Sequence, residues 1–290
     1  MYSFDILFPS LLNGLTTGAV YALVALGLTL IYGVLHIINF AHGAALMLAM
    51  YGVYLLRSRL GWDPYLSLPV MVAAMFAFGY ALQRLIINRA SHGKDENILL
   101  VTLGLAIVME NLALLTFSAD TRSIDTAYTL STVAIGPAMI ALPKLIAFGG
   151  ALAVAAVLLW IVRGTQLGRA IRAVAQEKQG AKLMGIDVEH AYAMSYGIGL
   201  ACLGAAASFL LPAYYVNPQV GSGFVLVAFT IVVLGGMGSF SGALIGGLLI
   251  GVVESIGGLF LGDSLGQVGI YLIFIAVLLF RPRGLFGDRG

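Results

Sequence analysis

Charge is missing from long stretches of this chain. No Asp, Glu, Lys or Arg occurs between Asp5 and Arg57, between Asp63 and Arg84, or from His190 up to Glu254. In water, runs of this kind leave a folded surface without polar cover. In a bilayer, about 20 apolar residues make one helical crossing, so the first and last runs must each hold more than one. Composition agrees, with 60% of residues hydrophobic, 10% charged, and 37 glycines in 290 positions. A membrane β-barrel would instead show segments of ~10 residues with alternating polarity. These runs are continuous and rich in Leu, Ala and Gly. The chain therefore reads as an all-α integral membrane protein, a polytopic bundle of eight or nine spans with glycine-broken helices, forming one transmembrane domain over 1–290.

The expected spans are 8–34, 36–56, 65–87, 97–117, 143–162, 191–211, 223–240, 241–260 and 264–281. Basic residues fall into three clusters: Arg84, Arg89 and Lys94; Arg163, Arg169, Arg172, Lys178 and Lys182; and Arg281, Arg283 and Arg289. The positive-inside rule puts all three in the cytoplasm. The polar segment 118–142, with Arg122 inside it and Lys144 at its edge, then falls outside. So does the N-terminus, together with Arg57 and Arg59. The start, "MYSFDILFPSLLNG", has no basic region before its apolar run and does not read as a cleaved signal peptide. The external stretch "DTRSIDTAYTLSTVAIG" reads as a connecting loop able to form a short hairpin, or as a docking surface for an external partner. The single cysteine, Cys202, sits in an apolar run and reads as a packed thiol.

Glycine carries the next signal. "VVLGGMGSFSGALIGGLLIGVVES" sets Gly238, Gly242 and Gly246 four apart, with Gly247, Gly251 and Ser255 as a second series. Small residues at that spacing let helix backbones approach closely in lipid. The cluster "LGGMGSFSG" also has the flexibility to break a helix beside a permeation path. It holds no lysine of a phosphate-binding loop, and no G-x-x-x-x-G-K-[ST] occurs anywhere. If the chain takes part in ATP-driven work, another chain binds the ATP.

Polar groups inside a membrane are expensive and mark function or buried pairing. Glu110 and Asn111 lie well inside the fourth span, and Glu254 lies in the glycine-rich region. Asn39 and His42 are three apart, as on one helix face. These five are the candidate path-lining residues, each with an interhelical hydrogen bond as its plain alternative. His36 and His42 lack the companions of a metal site. No serine nucleophile stands beside an obvious base. Neither an enzyme nor a bound metal or cofactor is expected, and a net charge of +2 gives no reason to invoke nucleic acid.

The segment 163–190 is the longest cytoplasmic loop. Gly168 to Met184 favours helix, with Gly185 as its stop. Ile171, Val174, Ala175 and Ala181 give it an apolar side, with Arg169 and Arg172 among the polar remainder. Such a helix can lie on anionic headgroups or insert into a groove on a protein. Glu177, Asp187 and Glu189 weaken the lipid reading, and the small residues Ala173, Ala181 and Gly185 favour the protein.

Four blocks carry a resemblance over nearly the full length: "NGLTTGAVYALVALGLTLIYGVLHIINFAHG" at 13–43, "GTQLGRAIRAVAQEKQGAKLMGID" at 164–187, "AFTIVVLGGMGSFSGALIGG" at 228–247 and "LLFRPRGLFG" at 278–287. In that order they resemble the permease subunits of branched-chain amino-acid ABC importers. Within the loop, Ala181-x-x-x-Gly185 is similar to the coupling motif of ABC importers, departing from it with Gln179 and Gly180. The resemblance implies a bacterial inner-membrane permease that forms a translocation path for branched-chain or related amino acids. It implies as partners a second permease subunit, two ATP-binding subunits and a periplasmic solute-binding protein. It also implies that the loop, through Arg169, Arg172, Ala181 and Gly185, couples to the ATPase. The competing reading is a stand-alone carrier or channel in which Glu110 and Glu254 couple ions.

Overall fold

The computed structural model describes residues 4–91, 95–281 and 284–286. Lys94, Arg283 and Arg289 of the basic clusters lie outside them. The chain is helical nearly throughout. It runs α1 (Phe4–Leu35), α2 (Ala41–Leu60) and α3 (Leu68–Leu82), which passes through a π-helical turn (Gln83–Ile87) into α4 (Asn88–Ser91). Next come α5 (Asp95–Phe117), the strands β1 (Thr132–Ile135) and β2 (Ala138–Ala141), and α6 (Leu142–Gly164). The short helices α7 (Gln166–Gln176) and α8 (Lys178–Leu183) precede α9 (Val188–Leu210), α10 (Val220–Gly235), α11 (Phe240–Leu261) and α12 (Asp263–Phe280).

α1 is the axis of the bundle. From Ala19 to Ile31 almost every side chain is buried, and α6, α9, α10 and α11 pack around it. Its approach to α11 is backbone on backbone. A Cβ placed on Gly14 would stand 2.7 Å from the Gly251 carbonyl oxygen, and one on Gly18 would stand 2.7 Å from that of Gly247. Two pairs of glycines four apart, Gly14 with Gly18 and Gly247 with Gly251, thus face each other. In lipid, where apolar burial gives helices no reason to associate, this close packing is what holds them together.

Among the described residues, six helices are long and apolar enough to cross a membrane: Asp5–Leu35, Leu68–Ala90, Asn97–Phe117, Leu142–Gly164, Val188–Leu210 and Phe240–Phe260. Val220–Gly235 and Gly266–Phe280 are apolar but shorter. α2 carries His42 in its first turn and Arg57 and Arg59 in its last, which lowers its apolarity. The protein is a multi-pass membrane protein, and its outer surface is apolar where it meets lipid: Leu100, Ile107 and Leu115 of α5, Trp160 of α6, and Leu272 and Leu279 of α12 are all exposed.

The two ends of the bundle differ. At one, the antiparallel hairpin pairs Thr132 with Ala141 and Ile135 with Ala138. Arg57 donates to the Asp125 carbonyl at 3.1 Å, and the Tyr128 hydroxyl donates to Asp63 Oδ2 at 2.7 Å. Arg122 and Val216 exchange backbone bonds of 2.9 and 2.8 Å, and the Arg122 guanidinium donates to the Tyr54 hydroxyl at 3.3 Å. Burial and then the bond to Asp63 push the Tyr128 phenol well above its ordinary pKa, and burial pushes that of Tyr65, stacked on it, up to about 12. The short hairpin that 120–136 suggested is therefore present, displaced toward its C-terminal side.

At the other end lie α4, α7 and α8 and the turn 236–239 between α10 and α11. In that turn Gly236 and Gly238 have φ of 95° and 88°, which only glycine adopts readily. Leu285 and Phe286 donate backbone N–H groups to the last carbonyls of α10, Leu234 and Gly235, at 2.8 and 3.2 Å. Leu285 and Phe286 thereby cap α10.

Candidate translocation site

Ser10, Asn13, Thr17 and Tyr21 are among the polar side chains that interrupt the N-terminal part of α1. Spaced three, four and four apart, they fall on one face. That face opens on a cavity of about 930 Å³ at the hairpin end. Its size is that of ligand-binding clefts, roughly 300–1,000 Å³.

A hydrogen-bonded chain crosses its wall. Lys144 Nζ, at the start of α6, donates to Asn13 Oδ1 at 2.6 Å. Asn13 Nδ2 approaches Ser255 Oγ at 3.5 Å, and Ser255 Oγ donates to the Ser10 carbonyl at 2.7 Å. Glu254, one residue before Ser255 on α11, faces the Tyr21 hydroxyl and senses the charge of Lys144. Thr17 and Tyr214 bring their hydroxyls to 3.5 Å across the same space. Val220, Phe224 and Val227 of α10 also line it, with the Phe224 ring edge-on to Tyr21 and Tyr214. The cavity thus offers one acid, one base, several hydroxyls and an apolar wall, a set suited to a small molecule that is polar at one end and apolar at the other.

Of the five residues expected to line a path, Glu254 alone borders this cavity. Asn39 and His42 do not share a helix face, because the backbone breaks at His36, where φ is 56°, and helix resumes only at Ala41. Asn39 Oδ1 accepts from the Ala41 N–H at 3.0 Å, an Asx turn that leads into α2. His42 is fully buried, and its Nε2 lies 3.0 Å from the Val24 carbonyl. A carbonyl only accepts, so Nε2 carries the proton. Glu110 and Asn111 lie on α5, which packs on α2. Asn111 is exposed and donates to its own helix at Ile107, and Glu110 is half-buried.

Sequence reading passed over Lys144, Asn13 and Tyr21. Lys144 read as the edge of a loop. The spacing of Ser10, Asn13, Thr17 and Tyr21 was the available signal. Among the glycines singled out, Gly242 crosses Gly235 and Gly251 crosses α1. Gly246 sits more loosely beside Ile231, and Gly238 is the positive-φ turn residue beside Gly33.

At the far end the expected single helix is two. Glu177, with φ −152°, leaves helix geometry, and its side chain accepts from the Gln179 N–H to cap α8. Thr165 caps α7 in the same way, accepting from Gly168 at 3.0 Å. Ile171, Val174 and Ala181 turn inward onto the bundle. Arg172 donates to the Val162 carbonyl, while Arg169 and Gly185 are exposed. What projects from the tip is Leu183 and Met184, 88% and 83% exposed.

A family model described as branched-chain amino acid transport system / permease component matches residues 10–279. The chain belongs to this family. The permease is 34% identical over 291 aligned positions to the high-affinity branched-chain amino acid transport system permease protein BraD of Pseudomonas aeruginosa, covering 96% of this chain and 94% of that protein. It is 31% identical over 297 positions to the permease protein LivH of Escherichia coli K12, covering 95% and 94%. It is also similar to a solved structure, PsaBC from Streptococcus pneumoniae in complex with Fab, with TM-score 0.49 and 18% identity over 94% of this chain and 92% of that one. The family model and the two permease relatives match it over nearly its whole length.

Proposed function

We propose that this chain is the transmembrane subunit of an ATP-driven importer in the bacterial inner membrane, and that it forms part of the path for branched-chain or related amino acids. One observation carries the reading. The large polar cavity opens at one end of the bundle, and an amphipathic two-helix loop with exposed Leu183 and Met184 projects from the other. A solute would enter at the hairpin end from a periplasmic solute-binding protein. Two ATP-binding subunits would meet 163–190 on the cytoplasmic side, and a second permease subunit would complete the membrane pair. The chain has no phosphate-binding loop of its own, which fits hydrolysis on partner subunits.

With α2, α10 and α12 added to the six long apolar helices, the chain makes nine crossings as a single domain over 1–290. The N-terminus is then outside, with Arg57, Arg59 and Arg122 beside the hairpin. Arg84, Arg89, Arg163, Arg169, Arg172, Lys178, Lys182 and Arg281 fall inside, as the positive-inside rule asks. A carrier coupling ions through Glu110 and Glu254 is less well supported, since the two carboxylates sit on helices that do not share the cavity.

The test is purification of the tagged chain in mild detergent, with every co-purifying subunit identified, followed by reconstitution. Leucine uptake that requires ATP and the co-purified subunits is expected. Recovery of the chain alone, with uptake driven by an ion gradient, would overturn the proposal.

A further inference from the structure

We infer that the cavity takes its ligand as an α-amino-acid zwitterion, with Glu254 receiving the ammonium, Lys144 the carboxylate, and the wall of Val220, Phe224 and Val227 the side chain. This rests on the reading of the chain as an amino-acid permease and adds to it the groups that recognise the substrate and the direction in which it lies.

The two charges come from helices far apart in sequence, α6 and α11, and meet only because both pack on α1. They are near enough to sense each other, yet Lys144 Nζ is bonded to Asn13 Oδ1 and not to the Glu254 carboxylate. Each charge is held by a neutral group, Asn13 for the lysine and Tyr21 for the glutamate. Opposite charges kept apart within a membrane-embedded cleft are costly unless something bridges them. A ligand with a single charge pairs with one and leaves the other unmatched. A zwitterion pairs with both, and its two charged groups are fixed on one carbon, so the side chain must point away from them. The apolar contacts the cavity offers it come from α10, through Val220, Phe224 and Val227, with Ser222 among them. Ser255 and Ser10 complete the support behind Asn13, holding the base in place without adding charge. The cavity is larger than one amino acid requires, so the ligand enters with some of its water, and recognition rests on the charge pair more than on shape.

The test is competition for radiolabelled leucine bound to the purified permease complex in nanodiscs, with no solute-binding protein present. The competitors are unlabelled leucine, isocaproate, which lacks the ammonium, and isoamylamine, which lacks the carboxylate. In the wild type each single-charge analogue is expected to compete about tenfold or more weakly than leucine, as loss of a charge-assisted hydrogen bond implies. Glu254→Gln removes leucine's advantage over isocaproate and keeps its advantage over isoamylamine. Lys144→Met does the converse. These ratios do not depend on how much protein is folded. Should the neutral variants bind too little leucine to measure, Glu254→Asp and Lys144→Arg decide. Wild-type ratios in both support the assignment, and altered ratios overturn it. Ratios unmoved in the neutral variants also overturn it, while leaving leucine binding and uptake intact. Absence of both binding and uptake in the wild type is a different result, and it brings down the amino-acid reading along with the assignment.

Discussion

Gly251 shows how much one missing side chain can decide. It lies where α11 crosses α1, with the Gly18 backbone directly against it. A valine there has nowhere to go except by prising the two helices apart, and overpacking of this kind costs about 1–3 kcal/mol. Gly251→Val is expected to lower the thermal unfolding midpoint of the detergent-solubilised protein. Gly149 provides the contrast. It is exposed on α6 with nothing within 4 Å of an added Cβ, so Gly149→Ala is expected to be neutral or to stabilise by up to about 1 kcal/mol through helix propensity. Equal effects of the two would deny the crossing its importance. The small-residue series on α11 was legible from spacing alone, but its partner was not, because spacing says which face is small and not which helix meets it. The same limit governs the site. Glu254 was legible as a charge in an apolar run. Asn39 and His42 drew notice by polarity, yet the turn at His36 and the Val24 carbonyl, both set by tertiary packing, turn them toward their own backbone. Lys144 was hidden by its place at a helix start, where a lysine ordinarily means a membrane boundary.

Between helices α7 and α8 the chain makes a device whose two faces are already divided. Ile171, Val174 and Ala181 fasten it to the bundle, and Leu183 and Met184 leave it. The division assigns different consequences to neighbouring positions. Leu183→Asp with Met184→Asp changes only exposed atoms, so the protein is expected to fold, to co-purify poorly with ATP-binding subunits, and to lose ATP-dependent uptake by about tenfold or more, as removal of central interface anchors does. Ala181→Leu is expected instead to reduce the amount of folded protein, because Ala181 is buried against the chain itself. Normal uptake in the double variant would remove the tip from the partner contact. Gly185 is a less clean probe: its φ of 80° makes any side chain strained whatever it touches. Amphipathicity revealed this element in the sequence. The break at Glu177 escaped notice, since a glutamate inside a helix-favouring run gives no sign of acting as a cap.

For the molecule as a whole, the proposed arrangement of nine crossings makes a claim about sides, and the two ends carry reporters for it. Leu130 is 92% exposed at the hairpin end, and Met184 is 83% exposed at the tip of α8. The one native cysteine, Cys202, is buried in α9, where burial in the apolar interior leaves a thiol inert. A cysteine introduced at either tip is therefore the one reactive thiol of the chain. In cells with a permeable outer membrane and an intact inner one, Leu130→Cys is expected to react with a membrane-impermeant maleimide, while Met184→Cys reacts only after the inner membrane is opened. The charge distribution argues for this result, because basic residues crowd the end where Met184 lies, and positive loops stay in the cytoplasm. The packing argues for it independently. The ends of α2 and α5 are tied to the hairpin end through Arg57 and Arg122, and α9 begins at the other, where the Tyr80 hydroxyl meets His190 at 3.2 Å. An odd number of crossings separates Leu130 from Met184 whether or not α10 and α12 both span, since α6 alone lies between them. Labelling of both cysteines from outside would thus mean that α6 does not cross, and the cavity and the loop would no longer face opposite compartments. Labelling of Met184→Cys alone from outside would keep the crossing and invert the molecule, placing the cavity of Lys144 and Glu254 on the cytoplasmic side and making export the direction its entrance serves.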